Sequence, residues 1–396
     1  MKIASFAFRS YPAKGGIEYH QKLISDYFTK KGDTVTVYTS RINSNNEFLT
    51  IDFKFPFVHL PKNKSGLKYA ETLAGVTYKR FDIRCRVYSY NNMKNLYRTF
   101  ADDIQNYNIV HLHGLNLYNN YRLARIAYDS KIPVILSCYD ISIPDNLPFL
   151  TKVLKRIYDK LFIKKLDRYV TKFLLLTKDQ ITELKDLGIN AKKICVWSAG
   201  YDVTRYRHKI VPTNVLKKYG LVGRKYVFNM GRIEEYKGIQ DIVAIAKDFP
   251  KLQFVVAGRD QGYLETLRKL VLETHTENVQ FIGEIDEKEA TVLLQHAFVF
   301  VFPSKKEGWG IVLAEAMSVG VPCIAYNIPN VRTVFTNGKS GFYVNTFVEM
   351  KLALKKIIDN RGLRARMSKY SFKDAERYDY HNTLPVLETI YKENLQ

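Results

Sequence analysis

The chain has 396 residues, of which 46% are apolar and 25% charged, a globular balance that excludes an intrinsically disordered chain. The formal net charge is +22, and residues 1–200 hold 32 basic against 17 acidic side chains. No apolar run approaches the about 20 residues that a membrane-spanning helix requires, and the length suits two domains of roughly 200 residues each.

Strands and helices alternate in the first half of the sequence. The apolar strand Lys2–Phe8 is followed by a Gly-Gly loop, and the later predicted elements are the helix Ile17–Thr29, the strands Thr34–Thr39 and Ile109–Leu112, the helix Tyr121–Asp129, and the strands Val134–Ser137 and Phe173–Thr177. Strand–helix–strand units of this kind predict a parallel, doubly wound sheet.

The alternation begins again at Lys225. Predicted strands lie at Tyr226–Met230, Phe254–Ala257, Val279–Ile282, Val299–Phe302 and Cys323–Ala325, and helices lie at Ile239–Lys247, Gly262–Thr274, Glu287–His296, Ile311–Ser318 and Val348–Asp359. The sequence therefore predicts an α/β protein with two Rossmann-like doubly wound domains, at 1–200 and 201–377. Because ligands of doubly wound sheets bind beyond the carboxyl ends of the strands, we expect the site in a cleft between the domains.

The N-terminal residues contain no small-residue cleavage site, so a secretory signal peptide is not expected. The four cysteines are scattered without CxxC spacing, which predicts reduced thiols and no zinc site. Together these features predict a cytoplasmic protein.

The densest positive charge lies in residues 151–172, where eight Lys and Arg side chains face only Asp159 and Asp167. Apolar residues recur there at helical spacing, which predicts a basic amphipathic helix. Such a helix can lie on the anionic inner face of a membrane, or it can pack on the core with its basic face in solvent. The sequence leaves both interpretations open. No nucleic-acid-binding motif accompanies the charge, so nucleic acid is not an expected partner.

Two acidic residues, Glu307 and Glu315, flank the turn formed by Gly308, Trp309 and Gly310. The glycines allow a ligand to approach the backbone closely, and the turn leads into a helix N-terminus, which favours anionic oxygens. Glu315 lies among apolar helical residues and needs a partner. We expect the two carboxylates to bind hydroxyls at two ends of one polar ligand.

A second motif, NMGRIEEYKG, follows the strand Tyr226–Met230. Gly231 permits a tight turn, and Arg232 and Lys237 supply two cations. Arginine binds phosphate through two N–H groups and lysine adds a point charge, so the motif predicts a diphosphate site.

Two further segments follow strands of the first half. Gly15 and Gly16 open a helix whose backbone amides could approach phosphate or sugar. In VHLHG, His111 and His113 share one face of a strand. No acidic or thiol ligands accompany them, so we predict no metal site, and His113 could face the cleft and contact a sugar or acceptor.

These motifs resemble glycosyltransferase family 4, a retaining class with the GT-B architecture of two Rossmann-like domains. The resemblance covers nearly the whole chain: EGWGIVLAE carries the specific Glu-x7-Glu pair, and GGIEYH, VHLHG, GRIEEYKG, VVAGR and GEIDEKEATVLLQHAFVFVFPS fall in the expected order. It implies metal-independent transfer of a hexosyl unit from a UDP- or GDP-linked sugar, without a further cofactor. The basic first half fits a lipid-linked or membrane-proximal glycan as acceptor, and it fits a soluble phosphorylated sugar equally well.

The resemblance also implies residue roles. Arg232 and Lys237 would bind the donor diphosphate, and Glu315 would bind the donor ribose. Glu307 and the backbone of 308–310 would contact the transferred sugar.

Other expectations concern glycines and the chain end. Gly15 and Gly16 would approach the diphosphate, and Gly258 would end a strand of the nucleotide domain. A C-terminal helix within about 378–396 would cross back to the first domain. Tyr139 stands where the family often has a His that touches the donor sugar, so it is a further candidate sugar contact.

Two alternatives stay open. A nucleotide-sugar epimerase would share the architecture and would release nucleotide without an acceptor. A non-catalytic lipid or nucleic-acid binder would use the basic first half, and its binding would depend steeply on salt.

Overall fold

The structure is a computed structural model that describes residues 1–42, 48–50, 58–61, 66–87, 90–139, 141, 152–153, 156–157, 159–198 and 200–395. The chain divides into an N-terminal unit, residues 1–200 with 381–396, and a C-terminal unit, residues 201–380. Each unit has its own sheet, parallel throughout in the C-terminal unit and mainly parallel in the N-terminal unit, as the alternating pattern predicted.

The strands of the described residues are numbered along the chain. They are β1 Lys2–Phe6, β2 Thr34–Ser40, β3 Phe48–Thr50, β4 Val58–Pro61, β5 Ala70–Leu73, β6 Val76–Phe81, β7 Ile83–Val87, β8 Tyr90–Met93, β9 Ile109–His113, β10 Val134–Cys138, β11 Lys172–Leu175, β12 Ile194–Val196, β13 Tyr226–Met230, β14 Gln253–Ala257, β15 Val279–Gly283, β16 Val299–Phe302, β17 Cys323–Tyr326 and β18 Gly341–Val344.

The α-helices separate the strands of the two parallel sheets and cover their faces. They are Gly16–Lys30, Leu96–Asp103, Tyr118–Asp129, Lys164–Tyr169, Gln180–Asp186, Thr213–Lys218, Ile239–Ala246, Leu264–Glu273, Glu287–His296, Ile311–Ser318, Phe347–Asp359, Arg361–Glu376 and Tyr380–Glu393. Among the described residues, no helix is both long enough and apolar enough to cross a membrane.

The sheet of the N-terminal unit has the order β12-β11-β10-β9-β1-β2-β6-β5. Its neighbours pair in parallel except β5 and β6, which are antiparallel. Every residue of β9 and β10 is buried, as expected for central parallel strands covered on both faces.

The sheet of the C-terminal unit has the order β15-β14-β13-β16-β17-β18 and is parallel throughout. One cluster buries apolar residues of β13, β14 and β16 together with apolar residues of the flanking helices; the strand residues are Val227, Phe254, Val256, Val299 and Val301. This packing holds the loops that follow β13 and β16 at one edge of the sheet.

The C-terminal helix Tyr380–Glu393 packs on the N-terminal unit. The Tyr391 ring stacks on Phe28 with the ring centres 4.9 Å apart, and the Tyr391 hydroxyl bonds with His111 Nδ1 at 2.5 Å. Trp197 Nε1 donates to the Thr383 carbonyl at 2.8 Å. These buried contacts attach the last helix to the first unit.

Two sequence expectations need correction. Strands β3–β8 had not been predicted, and they include a separate antiparallel sheet, β3-β4-β7-β8. Within the predicted basic helix, residues 151, 154–155 and 158 lie outside the described residues. A π-helical turn at Asp159–Ile163 leads into the helix Lys164–Tyr169. The helix ends before Lys172 because Lys172 pairs with Ile135 at the start of β11.

Candidate functional site

The loop after β13 carries both predicted cations. Arg232, whose side chain is 55% exposed, donates to Glu234 Oε1 and to the Tyr236 hydroxyl, each at 2.7 Å. Lys237 Nζ lies 5.1 Å from the centre of the Tyr236 ring. Tyr236 therefore contacts both cations, although nothing in the sequence pattern had singled it out.

The loop after β16 brings an acid to the second of these cations. Glu307 forms an ion pair with Lys237, and both side chains are only 14% exposed. Ser304 Oγ also donates to Glu307 Oε1, at 2.8 Å. Partial burial strengthens such charge-assisted bonds. The structure thus joins two predicted residues that are far apart in sequence, and Ser304 holds the carboxylate in place.

Close backbone packing sets the shape of this edge. Gly238 has φ 69°, and a Cβ there would lie 2.0 Å from the carbonyl oxygen of Pro303. Gly258 follows β14 at φ 152°, and a Cβ there would lie 1.6 Å from the carbonyl oxygen of Gly231. Only glycine fits at these two positions, so the ends of β13, β14 and β16 can lie close together.

The predicted turn connects β16 to the helix Ile311–Ser318. Gly310, at φ 87°, is the N-cap that precedes the helix. The Trp309 indole is 4% exposed and packs edge-on against Tyr378 with the ring centres 4.9 Å apart. The indole therefore supports the turn, and the backbone of Gly308–Gly310 is the part of the turn suited to meet a ligand.

Glu315 lies on that helix and is 6% exposed. The Tyr206 hydroxyl donates to its Oε1 at 3.3 Å, and Arg205 Nη1 lies 3.6 Å from the same oxygen. Desolvation by burial raises the pKa of Glu315 to about 7, although Arg205 and Tyr206 act to lower it. The sequence indicated that Glu315 needs a partner, but a partner 109 positions away leaves no local pattern.

The N-terminal unit holds the Gly-Gly loop. Gly15 precedes the helix Gly16–Lys30, and a Cβ at Gly15 would lie 2.2 Å from Glu18 Oε2. Glu18 is buried and pairs with Arg9 at 2.6 Å. The absence of a side chain at Gly15 therefore lets a buried carboxylate reach the loop, an arrangement that sequence reasoning missed.

The two candidate sugar contacts of this unit bond to each other. His113 Nδ1 and the Tyr139 hydroxyl are 2.8 Å apart, and His113 Nε2 is 3.2 Å from Ser5 Oγ. The Tyr139 ring stacks on His20. His113 has no exposed surface and Tyr139 is 6% exposed. Its partners enclose the His113 ring in this structure, and a contact of His113 or Tyr139 with a sugar or acceptor stays a prediction.

The arrangement can stabilise negative charge and orient hydroxyl groups. In the C-terminal unit Lys237 pairs with Glu307 and Arg232 pairs with Glu234. The buried carboxylate of Glu315 lies one turn into the helix that follows the Glu307 loop. Within the part of the chain that the structure describes, no three His, Cys, Asp or Glu side chains gather as a metal site would require.

Two family models match the chain in sequence order. One, described as Glycosyltransferase Family 4, matches residues 14–205, and the other, described as Glycosyl transferases group 1, matches residues 214–374. Together they cover most of both units.

Relatives and solved structures agree with these matches. The chain is 28% identical over 185 residues to the alpha-D-kanosaminyltransferase of Streptomyces kanamyceticus, covering 45% of this chain and 48% of that protein. It is 27% identical over 244 residues to the O-antigen chain mannosyltransferase RfbU of Salmonella typhimurium, covering 60% and 63%. The chain thus spans less than two thirds of the length of these curated relatives. The structure of Anabaena Alr3699/HepE in complex with UDP and glucose matches with a TM-score of 0.74 at 17% identity, over 99% of this chain and 100% of that one.

Proposed function

The chain belongs to the family 4 and group 1 glycosyltransferases and has their GT-B fold, and on this premise we propose that it transfers a hexosyl unit from a nucleotide diphosphate sugar to an acceptor hydroxyl. Transfer proceeds with retention and without a metal. The relatives named above are named for glycosyl transfer. The Anabaena structure contains UDP and glucose, which supports a UDP-linked donor, and a GDP-linked donor is the alternative.

The observation that carries this proposal is the contact of Lys237 with Glu307 beside Arg232. A departing nucleotide diphosphate develops negative charge on its phosphate oxygens, and two fixed cations stabilise that charge. Glu307, held by Ser304, then orients hydroxyls of the transferred sugar. The ion pair opens when the diphosphate binds Lys237 and the hydroxyls of the sugar bind Glu307.

Further contacts complete the donor site. Glu315 accepts hydrogen bonds from the ribose, and the backbone of 308–310 contacts the sugar. A Cβ at Gly231 would meet no other atom within 4 Å, so this position leaves room beside the diphosphate. The bond from the sugar C1 to the phosphate oxygen breaks, and a bond from C1 to the acceptor oxygen forms on the same face. The acceptor proton passes to the departing phosphate oxygen.

The acceptor is a lipid-linked or membrane-proximal glycan, reached by a basic surface. In the described part of 151–172, Arg156, Lys164, Lys165 and Arg168 are exposed, and Ile157 and Leu161 are 49% and 46% exposed. Exposed apolar side chains among basic ones favour an anionic lipid surface. The protein should sediment with vesicles of phosphatidylglycerol, which is anionic, and not with vesicles of phosphatidylcholine. Equal sedimentation with both would contradict binding to an anionic lipid surface.

Donor hydrolysis tests the reaction, with water as the acceptor. UDP-glucose, UDP-N-acetylglucosamine and GDP-mannose are supplied in turn, and the nucleotide and the sugar anomer released are measured. Arg232→Ala and Lys237→Ala should each lower the rate about 100- to 1,000-fold, whereas Lys269→Ala, which removes an exposed lysine of the same unit, should not. Undiminished rates in both site variants would refute the assignment, and release of an epimerised sugar would favour the epimerase.

A further inference from the structure

A cation beside Glu315 has no role in the donor contacts proposed so far. Arg205 Nη1 lies 3.6 Å from Glu315 Oε1, and Arg205 Nη2 lies 3.1 Å from Glu287 Oε2. The Arg205 guanidinium also lies over the Tyr206 ring, 5.2 Å from its centre. Ring and carboxylate therefore fix the guanidinium next to the buried acid.

The segment that carries Arg205 is itself held in place. Gln295 Nε2 donates to the carbonyl oxygens of Tyr206 and His208, at 2.6 and 2.9 Å. Arg207 Nε donates to the Ser318 carbonyl oxygen at 2.8 Å. These bonds attach the segment to two helices of the C-terminal unit, so the position of Arg205 is set by the fold.

The charge state of Glu315 decides what it can bind. An ionised carboxylate has two acceptor oxygens and can accept from two neighbouring hydroxyls, whereas a protonated carboxyl has one acceptor oxygen and one O–H donor. Burial favours the protonated form. A carboxyl at this position therefore needs a nearby cation to remain a double acceptor near neutral pH.

We propose that Arg205 is a positioning residue that keeps Glu315 ionised as a double acceptor for the donor ribose. This rests on the proposed function, because it takes the ribose contact of Glu315 as given. Four groups face or lie near the carboxylate: Arg205 and Tyr206 favour its charged form, and Glu287 opposes it. The Tyr201 hydroxyl donates to the Ala314 carbonyl oxygen instead.

The test is the dissociation constant of UDP, or of GDP if UDP does not bind, measured by calorimetry from pH 5.5 to 9. Glu315→Gln gives the baseline, because its affinity for the nucleotide still changes with the titration of the phosphates but no longer with that of residue 315. In the unmodified chain, affinity should increase above that baseline as the pH rises through about 7. Arg205→Gln should move the midpoint of this increase to a pH higher by about one to three units. Arg205→Lys keeps a positive charge and should bring the midpoint most of the way back.

Two controls separate charge from structure. Arg268→Gln removes an arginine whose side chain is 61% exposed and should behave as the unmodified chain. Glu287→Gln removes the other partner of Arg205 and should not move the increase upward, because Glu287 raises the pKa of Glu315. Thermal unfolding of each variant confirms that it folds.

The failures are distinguishable. If Glu315→Gln weakens binding but Arg205→Gln leaves the midpoint unmoved, the role of Arg205 is refuted and the ribose contact survives. If Glu315→Gln binds as tightly as the unmodified chain at every pH, the ribose contact in the proposed function is wrong. Binding of neither nucleotide would refute the proposed function itself.

Discussion

Replacing Glu315 by Gln should stabilise the C-terminal unit at pH 8 and have much less effect at pH 4.5. Glu315 is 6% exposed, so its carboxylate has lost most of its hydration, and the charged form is unfavourable in the folded state. The glutamine amide has nearly the same shape and can still accept the hydrogen bond from Tyr206. The substitution therefore removes the buried charge with little change in packing.

The sign and size follow from proton binding. Burial raises the pKa of Glu315 from 4.5 to about 7, so the folded chain holds this proton more tightly than the unfolded chain. Below pH 4.5 the Glu315 carboxyl is protonated in both the folded and the unfolded chain, so its ionisation costs the folded state no stability. As pH rises from 4.5 through 7, the unfolded chain ionises first and the folded state loses about 3 kcal/mol, at about 1.36 kcal/mol per pKa unit. Glu315→Gln escapes this loss.

Trp309 gives the assay a local probe, because it is buried in the C-terminal unit. In a Trp197→Phe background, Trp309 is the remaining tryptophan of the two in the chain, so thermal unfolding followed by its fluorescence reports that unit. A gain of about 3 kcal/mol should raise its Tm by roughly 6–12 °C at pH 8.

Glu265→Gln, at a glutamate whose side chain is 73% exposed, is the matched control and should give no pH-dependent difference. A Tm difference between Glu315→Gln and its parent that is the same at pH 4.5 and pH 8 would refute the reasoning.

Two further predictions concern the fold. Tyr391→Phe leaves His111 Nδ1 buried without its hydrogen bond, so the free energy of unfolding of the N-terminal unit, measured with denaturant, should fall by about 1–3 kcal/mol. Tyr128→Phe, at a tyrosine that is 45% exposed, should leave it almost unchanged, and equal losses in the two variants would argue against the bond. Gly258→Ala would place a Cβ 1.6 Å from the Gly231 carbonyl oxygen, so denaturant unfolding should show the C-terminal unit destabilised by at least about 3 kcal/mol. Gly262→Ala is also at positive φ but has open space around it, and it should destabilise the unit by only about 1–2 kcal/mol.

The strands that the sequence predicted best are those buried on both faces. The predicted strand at Tyr226–Met230 has the observed bounds of β13, because a mostly apolar run between charged residues and a glycine is a local signal. Strand β5 had no such signal. β5 is the edge strand Ala70–Leu73, with no fully buried residue, and its order comes from pairing with β6 rather than from its own residues.

The sequence by itself determined the fold class, the division into two α/β units, and the loops that carry Lys237 and Glu307. These depend on periodicity, glycines and local motifs, which act over a few neighbouring residues. Tertiary structure alone decided which side chains meet. It paired Lys237 with Glu307, placed Arg205 and Tyr206 on Glu315, and enclosed His113 against Tyr139. Such contacts join residues distant along the chain. Two of the three arise because neighbouring parallel strands bring their following loops to one edge of a sheet, and the third arises because the segment of Arg205 packs on the helix that carries Glu315.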